Sequence, residues 1–166
     1  MNESILNKPL RLPCGAVLKN RLAKSAMTER LSNQNFEPTE GHQTLYRSWS
    51  KTGAGLLITG NVMVDRIHLE SAGNIAFDDE AMIPTLQTWS EAGRRGGNHI
   101  WVQISHAGRQ TSRFSALRPL APSPVQLNKM GLFGKPKAMT DAEIEDVISR
   151  FAKAAVIAKR AGFTGV

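Results

Sequence analysis

Apolar and polar positions alternate along this chain with two periods. Gly55–Val64 (GLLITGNVMV) is a nearly unbroken apolar, β-branched run bracketed by glycine, and His99–Ser105 (HIWVQIS) is a second such run, so both predict buried strands. Arg21–Met27 (RLAKSAM) predicts an earlier strand of the same series. Between these runs the spacing changes to that of helices. Thr39 is placed to cap a helix whose Leu45 and Trp49 share one face, ending at Gly53. A second helix follows Asp78, Asp79 and Glu80, takes Pro84 into its first turn, turns Leu86, Trp89 and Gly93 inward, and stops at Gly96–Gly97. The third has a capping box at Thr140 and Glu143, with an apolar stripe of Ile144, Val147, Ile148, Phe151, Ala155 and Ala158. Lys159 and Arg160 suit the negative end of its dipole, and Gly162 closes it.

Two segments lie outside this alternation. Pro9–Leu18 reads as two short extended pieces around a Cys14–Gly15 turn. Ala107–Ala138, with four prolines and several glycines, reads as a long loop of the kind that is either functional or mobile. The rest forms a weak repeat in which each helix ends in a basic residue and glycine before an apolar strand: Lys51-Thr52-Gly53, Arg95-Gly96, Arg160-Ala161-Gly162. Three strand–helix units and the start of a fourth strand imply parallel β-structure with crossover helices. An open doubly wound sheet and a (β/α)8 barrel both begin this way. A barrel needs ~250 residues, and this sequence has 166.

Composition changes the picture little. Hydrophobic residues make up 41%, which excludes a disordered chain, and 21 Lys plus Arg against 14 Asp plus Glu give a net charge of +7. The basic residues are dispersed, with Arg94–Arg95 the densest pair, so the expectation is a solvated basic surface and no nucleic-acid partner, a basic nucleic-acid-binding module being the lesser alternative. The single cysteine, Cys14, excludes an internal disulfide framework and fits a reducing compartment. No run has the length of a signal-peptide core or a membrane span, so the expectation is a cytoplasmic protein without a membrane partner.

Candidate chemistry follows from the topology, because parallel α/β proteins place their sites at the C-terminal ends of the strands. No G-x-G-x-x-G follows the first strand and no Walker motif is present, which argues against Rossmann and P-loop readings. The four histidines show no common zinc-ligand spacing, so no metal site is expected; His42 reads as a surface residue and His99 as structural. His106 sits at a strand end, where a structural and a functional role are both open. Met27, Thr28, Gly60 and Gln103 would converge with it on one rim. A Gln amide, a Thr hydroxyl and a glycine suit a flat polar heterocycle. An ordinary buried amide and a strand-end glycine are the alternative.

At these residues the sequence resembles the old yellow enzyme family. NRLAKSAMTE (20–29), GAGLLITGNVMVD (53–65), WVQISHAGRQ (101–110), APSPV (121–125) and the helix segment 138–166 carry the resemblance in order. It implies the N-terminal half of a TIM (β/α)8 barrel with an N-terminal β-hairpin, residues 1–166 forming a single domain fragment that ends at the fourth strand. It also implies FMN as cofactor, NAD(P)H as reductant, and hydride transfer to a small-molecule substrate of the activated-alkene class, such as an enone. By position, Ala26 and Met27 match the segment packed on the flavin, and Thr28 the group that donates toward flavin O4. Gly60 matches the small residue beside the ring, and Gln103 the amide on its pyrimidine edge. His106, Gly108 and Arg109 belong to the Q-x-x-H-x-G-R signature and are read as framing the site. The family's substrate-holding His/His or His/Asn pair, its proton-donating tyrosine and its phosphate site have no counterpart up to Val166, so catalytic residues are unassigned. The fragment alone is expected to be inactive, and a self-associating half-barrel is the alternative expectation.

Overall fold

The computed structural model describes residues 4–166. Near its start, β1 (Leu10–Arg11) and β2 (Val17–Leu18) form the expected antiparallel hairpin, with Leu10 opposite Leu18. Gly15 turns it at φ +89°, a conformation that side chains with a Cβ rarely adopt.

The expected strand over Arg21–Met27 is shorter than its pattern suggests. Only Ala23–Lys24 (β3) pairs in parallel with β4 (Leu56–Met63). Beyond it, the Lys24 ammonium takes the Ile58 carbonyl in place of a backbone N–H, and lies 4.1 Å from the centre of the Trp49 ring. The chain then leaves the ladder.

The centre of the sheet is β4. Along one edge it pairs in parallel with β6 (His99–Ser105), with a bulge between Ile58 and Asn61. The other edge is divided. β3 holds its start, and β5 (Ile75–Ala76) pairs with Val62 and Met63 at its end. β5 was not expected from sequence, since two residues carry no periodicity. The beginning of a fourth strand is present: Gly165 bridges Trp101 in parallel, and the Val102 N–H donates to the Gly165 carbonyl at 3.0 Å.

Three helices follow the three strands as the repeat predicts: α1 (Glu40–Ser50), α2 (Ile83–Arg94) and α3 (Asp141–Arg160). They pack on one face of the sheet, where Leu57, Val62, Val64, Ile100 and Val102 meet Tyr46, Leu86, Trp89, Ile157 and Phe163. Trp89 is fully buried and makes edge-on contacts with Tyr46 and Phe163, both at 5.2 Å between ring centres.

Two expectations about helix faces are corrected. His42 is buried, not on the surface: its Nδ1 accepts the Thr39 N–H, completing a capping box, and its ring packs edge-on against Trp89. Burial lowers its pKa to about 4. On α3 the Thr140–Glu143 capping box forms as expected, but the apolar stripe is not one buried face. Ile144, Ile148 and Phe151 are 39%, 55% and 36% exposed, whereas Ala154, Ile157, Ala158 and Ala161 are buried. The helix reaches the core only through its last two turns.

The long loop over Ala107–Ala138 is less irregular than its composition suggests. It contains a 3-10 turn at Gly108–Gln110 and a short parallel pair, β7 (Leu120–Ala121) with β8 (Lys137–Ala138).

Candidate functional site

At the C-terminal ends of β3, β4 and β6, three polar side chains stand in a row. Asn61 and Gln103 are register partners on adjacent parallel strands, so their side chains leave the same face of the sheet. This face is opposite to that on which Val62, Ile100 and Val102 enter the helix-packed core. Thr28 completes the row, its hydroxyl donating to Asn61 Oδ1 at 2.6 Å. The Gln103 side-chain amide is exposed and makes no hydrogen bond among the described residues, while the Gln103 backbone N–H donates to Thr59 Oγ1. Met27 is 53% exposed beside this row, and Ala26 is half-buried. The structure sets Thr28 and Gln103 on either side of Asn61, which sequence reasoning missed. Its signal was a lone amide within the apolar run GLLITGNVMV.

Below the row, Glu29 ties the strand ends to the first helix. Its Oε1 accepts from the Tyr46 hydroxyl and from the Gly60 N–H. Burial, followed by the neighbouring Glu29 charge, pushes the Tyr46 phenol well above its ordinary range, so it remains a donor. Lys24 has its pKa lowered by burial and partly restored by Glu29. Gly60 is confined from this side. A Cβ there would collide with Glu29 Oε2 and the Met27 carbonyl, and would lie 2.9 Å from Thr28 Cα. The glycine therefore lets the Met27–Glu29 segment approach β4, and in that way positions Thr28 over Asn61.

A second polar group lies just past β4. Asp65, His68 and His106 place ligand-type atoms within 4.8 Å of one another. Neighbouring backbone groups decide its chemistry. His68 Nε2 accepts the Leu120 N–H at 3.1 Å, so its proton sits on Nδ1 and is given to Asp65 Oδ2 at 2.8 Å. His106 Nδ1 accepts the Gly108 N–H, so its Nε2 proton faces Asp65 Oδ2, 3.8 Å away. Both rings thus present protons, not lone pairs, to the carboxylate, and the Arg150 guanidinium adds positive charge at 3.4 Å. This arrangement is a hydrogen-bonded anchor and is poorly suited to a cation. Burial pulls the Asp65 carboxyl upward, but the His68 hydrogen bonds and the Ile67 N–H outweigh it and hold it far below the usual range. His106 is lowered to about 4, by burial first and then by the charges of His68 and Arg150. Its Nε2, buried and without a hydrogen-bond partner among the described residues, faces Asp65 across the strand end.

Next to Arg30, a cleft of about 880 Å³ opens between the Ser32–Phe36 loop and the Ser112–Phe133 segment, walled by Phe36, Leu69, Phe114 and Leu132.

Comparisons with known proteins give a family and a fold. The profile of the NADH:flavin oxidoreductase / NADH oxidase family matches residues 6–166. The NADH-dependent flavin oxidoreductase iliE of Neonectria sp. (strain DH2) is 36% identical over 179 residues, covering 96% of this chain and 23% of that protein. The protein of the same name from Hypocrea jecorina (strain QM6a) is 33% identical over 185 residues, covering 100% and 46%. Among solved structures, the old yellow enzyme homologue from Zymomonas mobilis superposes with a TM-score of 0.86 at 24% identity, over 98% of this chain and 47% of that one. The old yellow enzyme from Trypanosoma cruzi gives 0.86 at 23%, over 98% and 50%. The fold is that of the old yellow enzyme barrels, and the chain spans less than half the length of the curated relatives it matches.

Proposed function

The chain belongs to the NADH:flavin oxidoreductase / NADH oxidase family, and from that premise we propose that it forms the ring-facing side of an FMN site in an NAD(P)H-dependent oxidoreductase of the old yellow enzyme type. Bound there, FMN supplies hydride transfer from a nicotinamide to an electron-poor acceptor, with activated alkenes such as enones as the proposed class. The residues present fit a flavin ring. An unpaired Gln103 amide offers one donor and one acceptor side by side, as a pyrimidine edge requires. The exposed Met27 side chain and the Ala26–Met27 backbone offer a surface for the flat ring, and Thr28 stands at its polar edge. Gly60 serves this site through the close approach of Met27–Glu29. The apolar cleft beside Arg30 is the proposed approach for a small-molecule substrate.

One observation supports this reading above the rest: Gln103 and Asn61 stand in register beside Thr28, at the end of the strands where barrel enzymes place their chemistry. In this reading residues 1–166 act as one unit of the barrel in a reducing, cytoplasmic setting. No helix among the described residues is long and apolar enough to cross a membrane. Titration of the purified chain with FMN, followed by flavin fluorescence, tests the proposal. Weak but saturable quenching without NADPH-dependent enone reduction is expected; absence of any saturable quenching would overturn it.

A second reading, a half-barrel that associates with another copy and lacks activity, is favoured by the exposed apolar row Ile144, Ile148 and Phe151 on α3. Light scattering separates the two, since a clean monomer at high concentration would remove the second.

A further inference from the structure

We propose that Asn61 is the hydrogen-bond donor of this site toward the flavin ring, and that Thr28 acts as the group that orients it. The inference rests on the flavin reading above and follows from the polarity of one hydrogen-bond chain. Ser71 N–H donates to Asn74 Oδ1 at 2.8 Å, which leaves the Asn74 amide nitrogen to act as donor. That nitrogen, in a side chain that is itself buried, points to Asn61 Oδ1 at 3.5 Å. The same oxygen accepts the Thr28 hydroxyl proton at 2.6 Å.

Two donors converge on Asn61 Oδ1, so the amide has one orientation. A threonine has a single hydroxyl proton, and here it is used within the protein. What Thr28 presents outward is a lone pair. The Asn61 Nδ2 group makes no hydrogen bond among the described residues and belongs to a half-buried side chain. Its in-register neighbour is the exposed Gln103 amide. The two amides therefore form a pair of adjacent side chains whose donors are free for a planar heterocycle, with Asn74 and Thr28 as positioning residues.

The test uses lumiflavin, the flavin ring without the ribityl phosphate, so that only ring recognition is read. Asn61→Asp retains an acceptor for Thr28 and replaces the Nδ2 donor with a charged acceptor oxygen, and Asn61→Leu removes the donor without adding charge and is expected to weaken binding likewise; Thr28→Val removes the orienting hydroxyl. Asn61→Asp is expected to weaken lumiflavin binding about tenfold or more, and Thr28→Val about threefold, as for loss of a direct and an indirect hydrogen bond. In nitrogen-15 spectra of the unsubstituted chain, the Asn61 side-chain amide protons are expected to shift on titration. Unchanged circular dichroism in every variant keeps the comparison on binding. If Thr28→Val abolishes binding while Asn61→Asp binds normally, Thr28 is the donor and the inference falls. If lumiflavin does not bind the unsubstituted chain at all, the flavin reading itself falls, and this inference with it.

Discussion

The Tyr46 hydroxyl donates to Glu29, the residue that follows Thr28, so the first helix holds the strand-end segment from beneath. Tyr46 also packs edge-on against Trp89, which makes this bond the link between the centre of the core and the polar row above it. Tyr46→Phe keeps the packing and removes the bond. The expected cost is about 1–2 kcal/mol, because Glu29 loses one of its two donors in a half-buried position. The midpoint of urea unfolding measures it.

Gly60→Ala tests the close approach of Met27–Glu29 to β4. The added methyl meets the Met27 carbonyl and the Glu29 carboxylate, and backbone cannot yield as the end of a side chain can. A loss of about 2 kcal/mol or more is expected, in the range of strained small-to-large changes. Thermal unfolding checks the size, and weaker lumiflavin binding is expected alongside it.

His68 joins Asp65 to the backbone of the long loop at Leu120. His68→Leu leaves the Leu120 N–H without its acceptor and the Asp65 carboxylate without its ring donor. A cost of about 3 kcal/mol is expected, as for breaking a buried charged hydrogen-bond pair. Hydrogen exchange should accelerate at Leu120 and not at Val102, which lies in the sheet.

Stability is expected to fall on acidification between the ordinary histidine pKa of 6.5 and about 4. His42 and His106 are both depressed to about 4 in the fold, so the unfolded chain takes up a proton first and is favoured as the pH drops. A tenfold weaker proton affinity corresponds to about 1.4 kcal/mol, so His42 contributes at most about 3 kcal/mol. His106 is nearer solvent and contributes less. His42→Gln retains the Thr39 capping-box acceptor without the titration, and should flatten roughly half of this slope in urea melts taken from about pH 7 to about pH 4.

Much of this architecture was legible because long periodic elements declare themselves. His99–Ser105 is a strand with the bounds its pattern gives, and Thr140 with Glu143 forms the capping box that opens the third helix. Pro84 sits in the first turn of the second helix, and Leu86 and Trp89 face the core. The rest depended on tertiary context. His42 looks like a surface residue until its Nδ1 is seen to cap the helix and its ring to meet Trp89. The stripe on α3 is uniform in sequence, but the sheet and α2 reach only its last turns, so burial is not uniform. Asn61 lay within a strand pattern that marks it as a neutral interruption. Only the bulge after Ile58 and the register with Gln103 give it a place at the rim.

The divided edge of β4 has a further consequence, for how this region tolerates change. β3 and β5 reach that edge from separate stretches of sequence and hold different ends of it. The segment ahead of α1 couples them, since the Ser32 N–H donates to the Gly73 carbonyl and the Ala76 N–H to the Phe36 carbonyl, so a change in either stretch is passed to the other. β4 keeps its full-length pairing with β6 in either case. The gap between the two short strands is bridged by Thr28 and Asn61, so it is where a change on either side is felt. Insertions on either side are therefore expected to disturb the spacing of the polar row, which Asn74 and Thr28 hold from the two stretches.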